Sequence, residues 1–322
     1  MTKVAIVGYG NLGKACERIA VENDGFELVG VFTRRSPDAL VSPYDTRFFC
    51  QQDINYLECA VDVLVLCTGS KNDLVPLAIK SARHFNTVDS FDNHGKMREY
   101  VSALDKVASE SGHLSIVGAG WDPGIFSLVR GLFEGVTGGV AHTFWGAGVS
   151  QGHSEAVRRI EGVKNAVQYT IPDDDALQMV KAGIEGDLTP QQKHKRVCYV
   201  VLEEGADRGE IEWQIKNMPN YFSGYDTSVY FVGEDELANN HGKLCHGGQV
   251  ICLKNINGKN SAIELGLKLQ SNPDFTAKVL MSYVKCADRL YKYGEKGAKT
   301  VLDIPITALF DDDRLDILAK YL

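Results

Sequence analysis

Short apolar runs alternate with amphipathic stretches over the first 118 residues. Strands are predicted at 3–8, 26–32, 61–67, 85–89 and 113–117, and helices at about 11–23, 73–83 and 97–111. Strands separated by helices in this way are typical of a parallel sheet that is covered on both faces. The pattern predicts an α/β protein with a doubly wound parallel sheet ending near residue 118.

After Gly124 the pattern changes. A helix is predicted at about 125–133, followed by alternating apolar and polar segments at 139–146, 164–171, 195–203, 225–232 and 247–254. Such alternation is typical of an antiparallel or mixed sheet, which here carries a few helices in an α+β domain. The helical stretch 274–293 and the tail 298–321 are expected to pack back on the first domain. The predicted boundaries are therefore 1–122 together with about 270–322, and 123–269.

The first predicted strand runs directly into Gly8-Tyr9-Gly10-Asn11-Leu12-Gly13. In a strand–turn–helix unit the first glycine allows the tight turn, the second lets a pyrophosphate approach the backbone, and the third lets helix and strand pack closely. The phosphates then lie at the helix N-terminus. Because strand, turn, helix and second strand follow in order, the motif predicts a Rossmann-type dinucleotide site rather than a structural turn.

The second predicted strand ends at Thr33-Arg34-Arg35. An NAD site usually has a carboxylate here, which accepts hydrogen bonds from the ribose 2′-hydroxyl and would repel a 2′-phosphate. Thr33 can donate a hydrogen bond, and the two guanidinium groups suit a phosphate dianion. The sequence therefore predicts NADP as cofactor; the alternative is that both arginines only solvate the end of a loop.

The loops that follow the predicted strands should meet at one edge of the sheet, since ligands of open α/β sheets bind outside the carboxyl ends of the strands. They comprise residues 8–13, 33–35, 67–70, 89–94 and 118–124. Besides the glycine turn and the basic pair, cofactor contacts are predicted from Cys67, Thr68, Gly69, Ser70, Ser90, Phe91, Asp92, Ala119, Gly120, Trp121, Asp122 and Pro123.

Composition and charge narrow the class of protein. The 322 residues are 44% hydrophobic and 24% charged, with a net charge of -8, and contain no long basic block, so nucleic acid is not expected as a partner. No apolar stretch is long enough to cross a bilayer and no signal peptide is recognisable, so a cytoplasmic protein is expected.

The eight cysteines lack regular spacing and are interpreted as reduced thiols. His241, Cys245 and His246 lie close in sequence but lack a second ligand pair, so no metal is predicted.

The second half of the chain contains more clusters of polar residues than the packing of a sheet requires. Together with the glycine turn and the Thr-Arg-Arg signal, the chain resembles the meso-diaminopimelate dehydrogenase family over nearly its whole length. The motifs that carry this resemblance are Phe91-Asp92-Asn93-His94, Gly120-Trp121-Asp122-Pro123-Gly124, Thr143-Phe144-Trp145-Gly146, Ser150-Gln151-Gly152-His153-Ser154, His194-Lys195-Arg196, Met218-Pro219-Asn220-Tyr221-Phe222 and Asn272-Pro273-Asp274-Phe275-Thr276.

The resemblance implies a reversible, NADP-dependent oxidative deamination. The D-centre of meso-2,6-diaminoheptanedioate becomes the ketone of L-2-amino-6-oxoheptanedioate, with release of ammonia, in lysine and peptidoglycan precursor biosynthesis. It also implies a homodimer formed through the second, substrate-binding domain. A substrate with two carboxylates and two ammonium groups needs both cationic groups and carboxylates in its site.

The resemblance assigns the residues as follows. Asp92 and Asp122 are placed at the reacting end as the catalytic candidates, and Arg196, Thr170 and His246 at the distal carboxylate. Trp145, Gln151, Gly152 and Asn272 match further substrate contacts. The sequence does not decide whether Asp92 or Asp122 accepts the proton or orients the water; His153, in what is interpreted as a Gly- and Ser-rich loop, is a third candidate.

Two other functions fit parts of the sequence. Another two-domain NADP-dependent dehydrogenase, acting on a different amino acid or a semialdehyde, would not need a distal clamp for a second carboxylate. A nucleotide-sensing module built on a Rossmann fold would bind NADP without turnover. Activity with individual diaminopimelate stereoisomers distinguishes all three.

Overall fold

The computed structural model describes residues 1–70, 72–184, 188–257 and 259–322. The chain forms two compact units: unit 1 is Met1–Leu128 with Pro273–Leu322, and unit 2 is Val129–Asn272. The strands are β1 (Thr2–Val7), β2 (Phe26–Thr33), β3 (Phe48–Cys50), β4 (Val63–Leu66), β5 (Asn86–Asp89), β6 (Leu114–Val117), β7 (Val140–Trp145), β8 (Gly148–Val149), β9 (Val163–Pro172), β10 (His194–Leu202), β11 (Asp226–Phe231), β12 (His246–Ile256), β13 (Lys259–Leu269) and β14 (Gly297–Thr300). The helices are α1 (Asn11–Glu22), α2 (Leu74–Ser81), α3 (Met97–Ser111), α4 (Ile125–Thr137), α5 (Gln151–Arg158), α6 (Asp174–Lys181), α7 (Pro190–Lys193), α8 (Arg208–Lys216), α9 (Glu234–His241), α10 (Asn272–Lys292) and α11 (Arg314–Tyr321).

Unit 1 contains the predicted parallel sheet. Among the described residues its order is β14-β6-β5-β4-β1-β2-β3, with all neighbours parallel. The prediction that this sheet ends near residue 118 is wrong, because β14 pairs with β6 in the register Gly297↔Leu114. β3 was also not predicted. β3 is only three residues long, and β14 (Gly-Ala-Lys-Thr) contains no apolar run, so neither strand shows a pattern in the sequence.

Both faces of the unit 1 sheet are covered by apolar side chains. Within β1, Val4 and Ile6 belong to one buried cluster and Ala5 and Val7 to the other. Helix α10 contributes to the first cluster, and helices α2 and α3 contribute to the second. This two-sided burial explains the continuous apolar runs in β1 and β4, and it confirms the Rossmann-type fold class.

Unit 2 is built on two sheets rather than the single sheet that the pattern suggested. Among the described residues, one has the order β11-β10-β9-β8 and the other β13-β12-β7. β10 is antiparallel to β9 but parallel to β11, so the larger sheet is mixed, and the smaller one is antiparallel. The β9–β10 register sets Arg196 opposite Thr170 on neighbouring strands.

The segment around Gln151 and Gly152 differs from its prediction. The sequence predicts a Gly- and Ser-rich loop here, but the segment forms helix α5. The Ser154 amide and hydroxyl both donate to the Ser150 carbonyl, and Val157 is completely buried in the unit 2 core. Burial of this apolar residue outweighs the low helix propensity of glycine and serine. In neither unit does a described helix have the length and apolarity needed to span a membrane.

Candidate active site

The glycine turn of unit 1 has no room for a side chain at Gly8 or Gly13. Gly8 has φ +100°, and a Cβ there would lie 2.8 Å from the Cys67 carbonyl oxygen. A Cβ on Gly13 would lie 2.1 Å from the Gly8 carbonyl oxygen. Gly10, by contrast, has open space where its side chain would be. The turn therefore packs tightly against Cys67, which directly follows strand β4, and leaves its backbone accessible at Gly10.

A cleft of about 280 Å³ opens at this turn. Its lining brings together nine of the predicted cofactor residues and one that the sequence did not indicate, Gln51. The lining residues are Gly8, Tyr9, Gly10, Thr33, Arg34, Arg35, Gln51, Cys67, Thr68 and Gly69. Gln51 follows the unpredicted strand β3, so no local pattern pointed to it. The other predicted cofactor residues lie outside this lining: Asn11, Leu12, Gly13, Ser70, Ser90, Phe91, Asp92, Ala119, Gly120, Trp121, Asp122 and Pro123.

The two arginines at the end of β2 are held differently. Arg35 donates from Nη2 to the Tyr9 carbonyl oxygen, and its amide donates to Thr33 Oγ1 at 3.1 Å. Arg34 forms a bidentate ion pair with Asp73, with both N–O distances at 2.9 Å. Arg35 is thus anchored at the glycine turn, whereas the Arg34 guanidinium already has an anionic partner.

A buried polar network supports the anchor of Arg35. The Tyr9 hydroxyl and the Ser42 hydroxyl each donate to the Glu17 carboxylate at 2.6 Å. Burial, followed by the hydrogen bond to Glu17, raises the pKa of Tyr9 to about 12. Tyr9 therefore remains a neutral donor at physiological pH, and its backbone is fixed where Arg35 reaches it.

The cleft fits a phosphorylated dinucleotide. Within the described part of the chain, Thr68 Oγ1 is buried without a hydrogen-bond partner. An unpaired buried hydroxyl is costly unless a ligand satisfies it. The accessible backbone at Gly10, the N-terminus of α1 and the Arg35 guanidinium supply the remaining donors that pyrophosphate and a 2′-phosphate require.

Asp92 and Asp122 lie in the loops after β5 and β6. The Asp122 side chain is only 1% exposed, and its Oδ1 lies 4.0 Å from His94 Nε2. Asp92 is exposed, and its amide donates to Ser70 Oγ at 3.3 Å. Because β5 and β6 are adjacent parallel strands, the structure brings both carboxylates to the same edge of the sheet.

In unit 2, Arg196 is a buried cation. It is 5% exposed, donates from Nη1 to Thr170 Oγ1, and lies with its guanidinium carbon 4.2 Å from the centroid of the Tyr225 ring. Its Nε has no hydrogen-bond partner, and among the described residues no carboxylate pairs with it. A buried guanidinium without an anion is unfavourable unless a ligand provides one.

Two histidines near Arg196 are kept neutral. Burial, followed by the positive charge of Arg196, lowers the pKa of His153 to about 3. The pKa of His246 is also lowered by burial and by Arg196. His153 Nδ1 lies 2.6 Å from Ser150 Oγ, and its ring packs edge-on against Tyr221 and Phe222. The positive charge of this cluster therefore resides on Arg196.

The remaining predicted substrate residues also lie in unit 2. Trp145 ends strand β7, and its ring stacks on His194 with centroids 5.0 Å apart. Gln151 and Gly152 begin helix α5, and the Asn272 amide donates to the Leu244 carbonyl oxygen at 2.8 Å. The structure thus assigns each a local position, and their contacts with a substrate stay predictions.

His194 has a supporting role that the sequence did not reveal. Its Nε2 accepts from the Trp145 amide at 2.8 Å, and its Nδ1 lies 2.8 Å from the Pro190 carbonyl oxygen. This arrangement requires the neutral Nδ1–H tautomer, because Nε2 must accept. Burial lowers the pKa of His194 to about 4, in agreement with that requirement.

We expect the stability that His194 contributes to be lost in acid. Since its folded-state pKa lies below the unfolded value of 6.5, this contribution is complete above pH 6.5 and decreases as pH falls towards 4. Relative to His194→Asn, the unfolding free energy of the wild type should fall by about 1.4 kcal/mol per pH unit in this window. Denaturant titrations at several pH values measure this decrease, with His84→Asn, at a partly exposed histidine of unit 1, as the control. Parallel pH profiles of wild type and His194→Asn would contradict the assignment.

His241 belongs to an aromatic stack. Its ring lies 3.8 Å from the Tyr199 ring, centroid to centroid, and its Nδ1 is 3.0 Å from the Tyr169 hydroxyl. Within residues 1–70, 72–184, 188–257 and 259–322, no group of three or more His, Cys, Asp or Glu side chains is placed to hold a metal ion.

The Rossmann-type sheet, the glycine-lined cleft and the basic pair define a dinucleotide-dependent oxidoreductase built from two units. The sequence profile described as "Diaminopimelic acid dehydrogenase C-terminal domain" matches residues 120–271. The chain belongs to the meso-diaminopimelate D-dehydrogenase family: it is 49% identical over 309 residues to the enzyme of that name from Lysinibacillus sphaericus, with 95% of each chain covered.

Solved structures agree with this membership. The diaminopimelate dehydrogenase of Corynebacterium glutamicum, in complex with diaminopimelate, is similar with a TM-score of 0.94 and 41% identity, covering 100% of this chain and 99% of that one. An engineered D-amino acid dehydrogenase bound to NADP+ has a TM-score of 0.92 and 40% identity, with the same coverage.

Proposed function

We propose that this protein catalyses the reversible NADP-dependent oxidative deamination of the D-centre of meso-2,6-diaminoheptanedioate. The products are L-2-amino-6-oxoheptanedioate and ammonia, in lysine and peptidoglycan precursor biosynthesis. Family membership supports the reaction, and the cleft in unit 1, with Arg35 at the glycine turn, supports NADP as cofactor.

The observation that carries the choice of substrate is the buried Arg196. A guanidinium that is 5% exposed, with an unpartnered Nε and no carboxylate beside it in the part of the chain that the structure describes, calls for an anionic ligand. The carboxylate of the L-centre provides a planar acceptor that matches the guanidinium in a bidentate contact. A simple D-amino acid or a semialdehyde lacks this second carboxylate at the distal end, so it would leave Arg196 unpaired.

The chain's own residues bind, orient and handle protons. Arg196, with Thr170 and His246, holds the L-centre carboxylate and so fixes which end of the substrate reacts. Asp92 and Asp122 bind the D-centre ammonium group, and one of them accepts a proton from it or directs the water that hydrolyses the substrate iminium. NADP supplies the hydride acceptor when bound. Trp145, Gln151, Gly152 and Asn272 complete the substrate contacts.

The test is NADPH formation at 340 nm by the purified protein with each diaminopimelate stereoisomer. We expect turnover with the meso isomer and NADP+, little with the LL isomer, and much weaker activity with NAD+. Turnover of simple D-amino acids equal to that of the meso isomer would favour a different amino acid dehydrogenase. Tight NADP+ binding without turnover of any isomer would favour a nucleotide sensor.

We propose further that the protein acts in the cytoplasm as a homodimer joined through unit 2. The eight cysteines are free, which fits a reducing compartment. The dimer rests on the resemblance to the family. Sedimentation equilibrium tests it, and a species of 35.4 kDa at micromolar concentration would contradict it.

A further inference from the structure

Asp89 is a buried carboxylate that the proposed chemistry does not use. It is the last residue of β5 and is completely buried. The Tyr100 hydroxyl donates to its Oδ2 at 2.6 Å, and the Phe91 amide donates to its Oδ1 at 2.9 Å. Burying a charged carboxylate costs free energy of desolvation, so the presence of Asp89 at this position needs an explanation.

The contacts of Asp89 reach both loops that carry the candidate catalytic residues. Through Phe91 its carboxylate holds the loop after β5, which continues to Asp92. Its Oδ1 also accepts from the Gly118 amide at 3.4 Å, and its carbonyl oxygen accepts from the Ala119 amide at 2.8 Å. The bonds from the Gly118 and Ala119 amides fix the start of the loop after β6, which continues to Asp122.

From this geometry we propose that Asp89 is a positioning residue, which sets the relative placement of Asp92 and Asp122 by tying their two loops together. The inference rests on the proposed function for the roles of Asp92 and Asp122. The centroids of the Phe91 and Tyr100 rings lie 4.6 Å apart. Helix α3, whose Tyr100 donates to Asp89, therefore also packs against the loop after β5. Loops joined in this way can present two carboxylates in a fixed geometry to the substrate.

The protonation of Asp89 fits this role. Burial raises its pKa to about 6, against the opposing effect of the hydrogen bonds from Tyr100, Phe91 and Gly118. Above that pH the carboxylate is ionised, and charge-assisted hydrogen bonds are stronger than neutral ones. Tyr100 has its pKa raised by burial and by Asp89, so it stays a donor.

The experiment compares Asp89→Asn with a matched control, Asp62→Asn, in the full-length protein. Asp62 likewise accepts a backbone hydrogen bond, from the Lys3 amide at 2.7 Å, but at the amino end of the same sheet. We expect Asp89→Asn to lower kcat for the meso isomer by about tenfold or more and to change the Kd of NADPH by less than about twofold. Asp62→Asn should leave both within about twofold. Unchanged kcat in a folded Asp89→Asn protein would overturn the proposal.

A double-mutant cycle distinguishes positioning from a general loss of structure. If Asp89 acts by placing Asp122 relative to Asp92, that placement no longer matters once Asp122 is asparagine, and Asp89→Asn should then lower kcat by only about threefold or less. A full tenfold loss in that background would overturn the mechanism. Should Asp89→Asn fail to fold, Tyr100→Phe removes one of the same bonds. We expect it to lower kcat by about threefold, and an unchanged kcat would equally overturn the proposal.

Hydrogen–deuterium exchange separates this proposal from the proposed function. Asp89→Asn should accelerate exchange in residues 90–93 and 118–124 but not in 8–13, whereas Asp62→Asn should accelerate neither loop. A wild type inactive on every isomer would refute the proposed function, and the exchange result would still decide whether Asp89 ties the loops. Unaltered exchange in both loops would overturn the inference even if the enzyme is active.

Discussion

Replacing Arg196 with methionine is expected to lower kcat/KM for meso-2,6-diaminoheptanedioate by about 10- to 150-fold, since a charge-assisted contact contributes about 1.5–3 kcal/mol. Methionine keeps an unbranched chain of similar reach but cannot bind a carboxylate. The Km for NADP+ should change little, because the cofactor cleft is lined by residues of unit 1.

The same substitution should not lower the free energy of unfolding. Arg196 has no anionic partner among the described residues, so burying its charge is unfavourable, and an apolar side chain of similar volume removes that penalty. Stability equal to or above that of the wild type, together with a large loss of activity, would show that the cation is retained for binding.

Arg208→Met is the matched control for Arg196→Met. Arg208 also belongs to unit 2 and lies over an aromatic ring, 5.6 Å from the centroid of Phe231, but it is exposed. Its replacement should leave kcat/KM within about twofold. Steady-state kinetics and denaturant titration of both variants provide the comparison. Unchanged kinetics in Arg196→Met would remove Arg196 from the site.

The features predicted from sequence depend on local interactions. The glycine turn follows from steric limits at Gly8 and Gly13, which are set by the backbone of the same strand–turn–helix unit and its neighbour β4. Strands β1, β2 and β4 of unit 1 are recognisable in the sequence because burial on both faces gives them runs of apolar residues. Such signals are present in a short window of sequence.

The features that were missed depend on pairing between distant segments. β14 joins the sheet by pairing with β6, about 180 residues earlier, and Gln51 reaches the cleft through a strand of three residues. The roles of Asp89 and His194 depend on which backbone amides point at them in the folded chain. Composition and periodicity carry no information about such partners.

The structure distinguishes the two arginines of the basic pair, whereas the sequence motif does not. Thr33-Arg34-Arg35 predicted a phosphate site, and the motif treats both guanidinium groups alike. In the structure Arg35 is anchored to the glycine turn, whereas Arg34 is occupied by Asp73. We therefore expect a phosphate to contact Arg35 directly and to compete with the Asp73 carboxylate for Arg34. The two arginines should contribute unequally to selection of NADP.

Arg35→Gln is expected to raise the Km for NADPH by about 10- to 150-fold, whereas Arg34→Gln should raise it by less than about tenfold. Each variant serves as the control for the other, because the same cation is removed from adjacent positions. The Km for NADH should change by less than about threefold in both, since NADH lacks the 2′-phosphate. Reductive amination of L-2-amino-6-oxoheptanedioate with each cofactor gives these constants. Equal rises in the Km for NADPH in the two variants would show that the Arg34–Asp73 pair does not persist in competition with NADPH. A rise in the Km for NADH as large as that for NADPH in Arg35→Gln would show that Arg35 supports the turn rather than the phosphate.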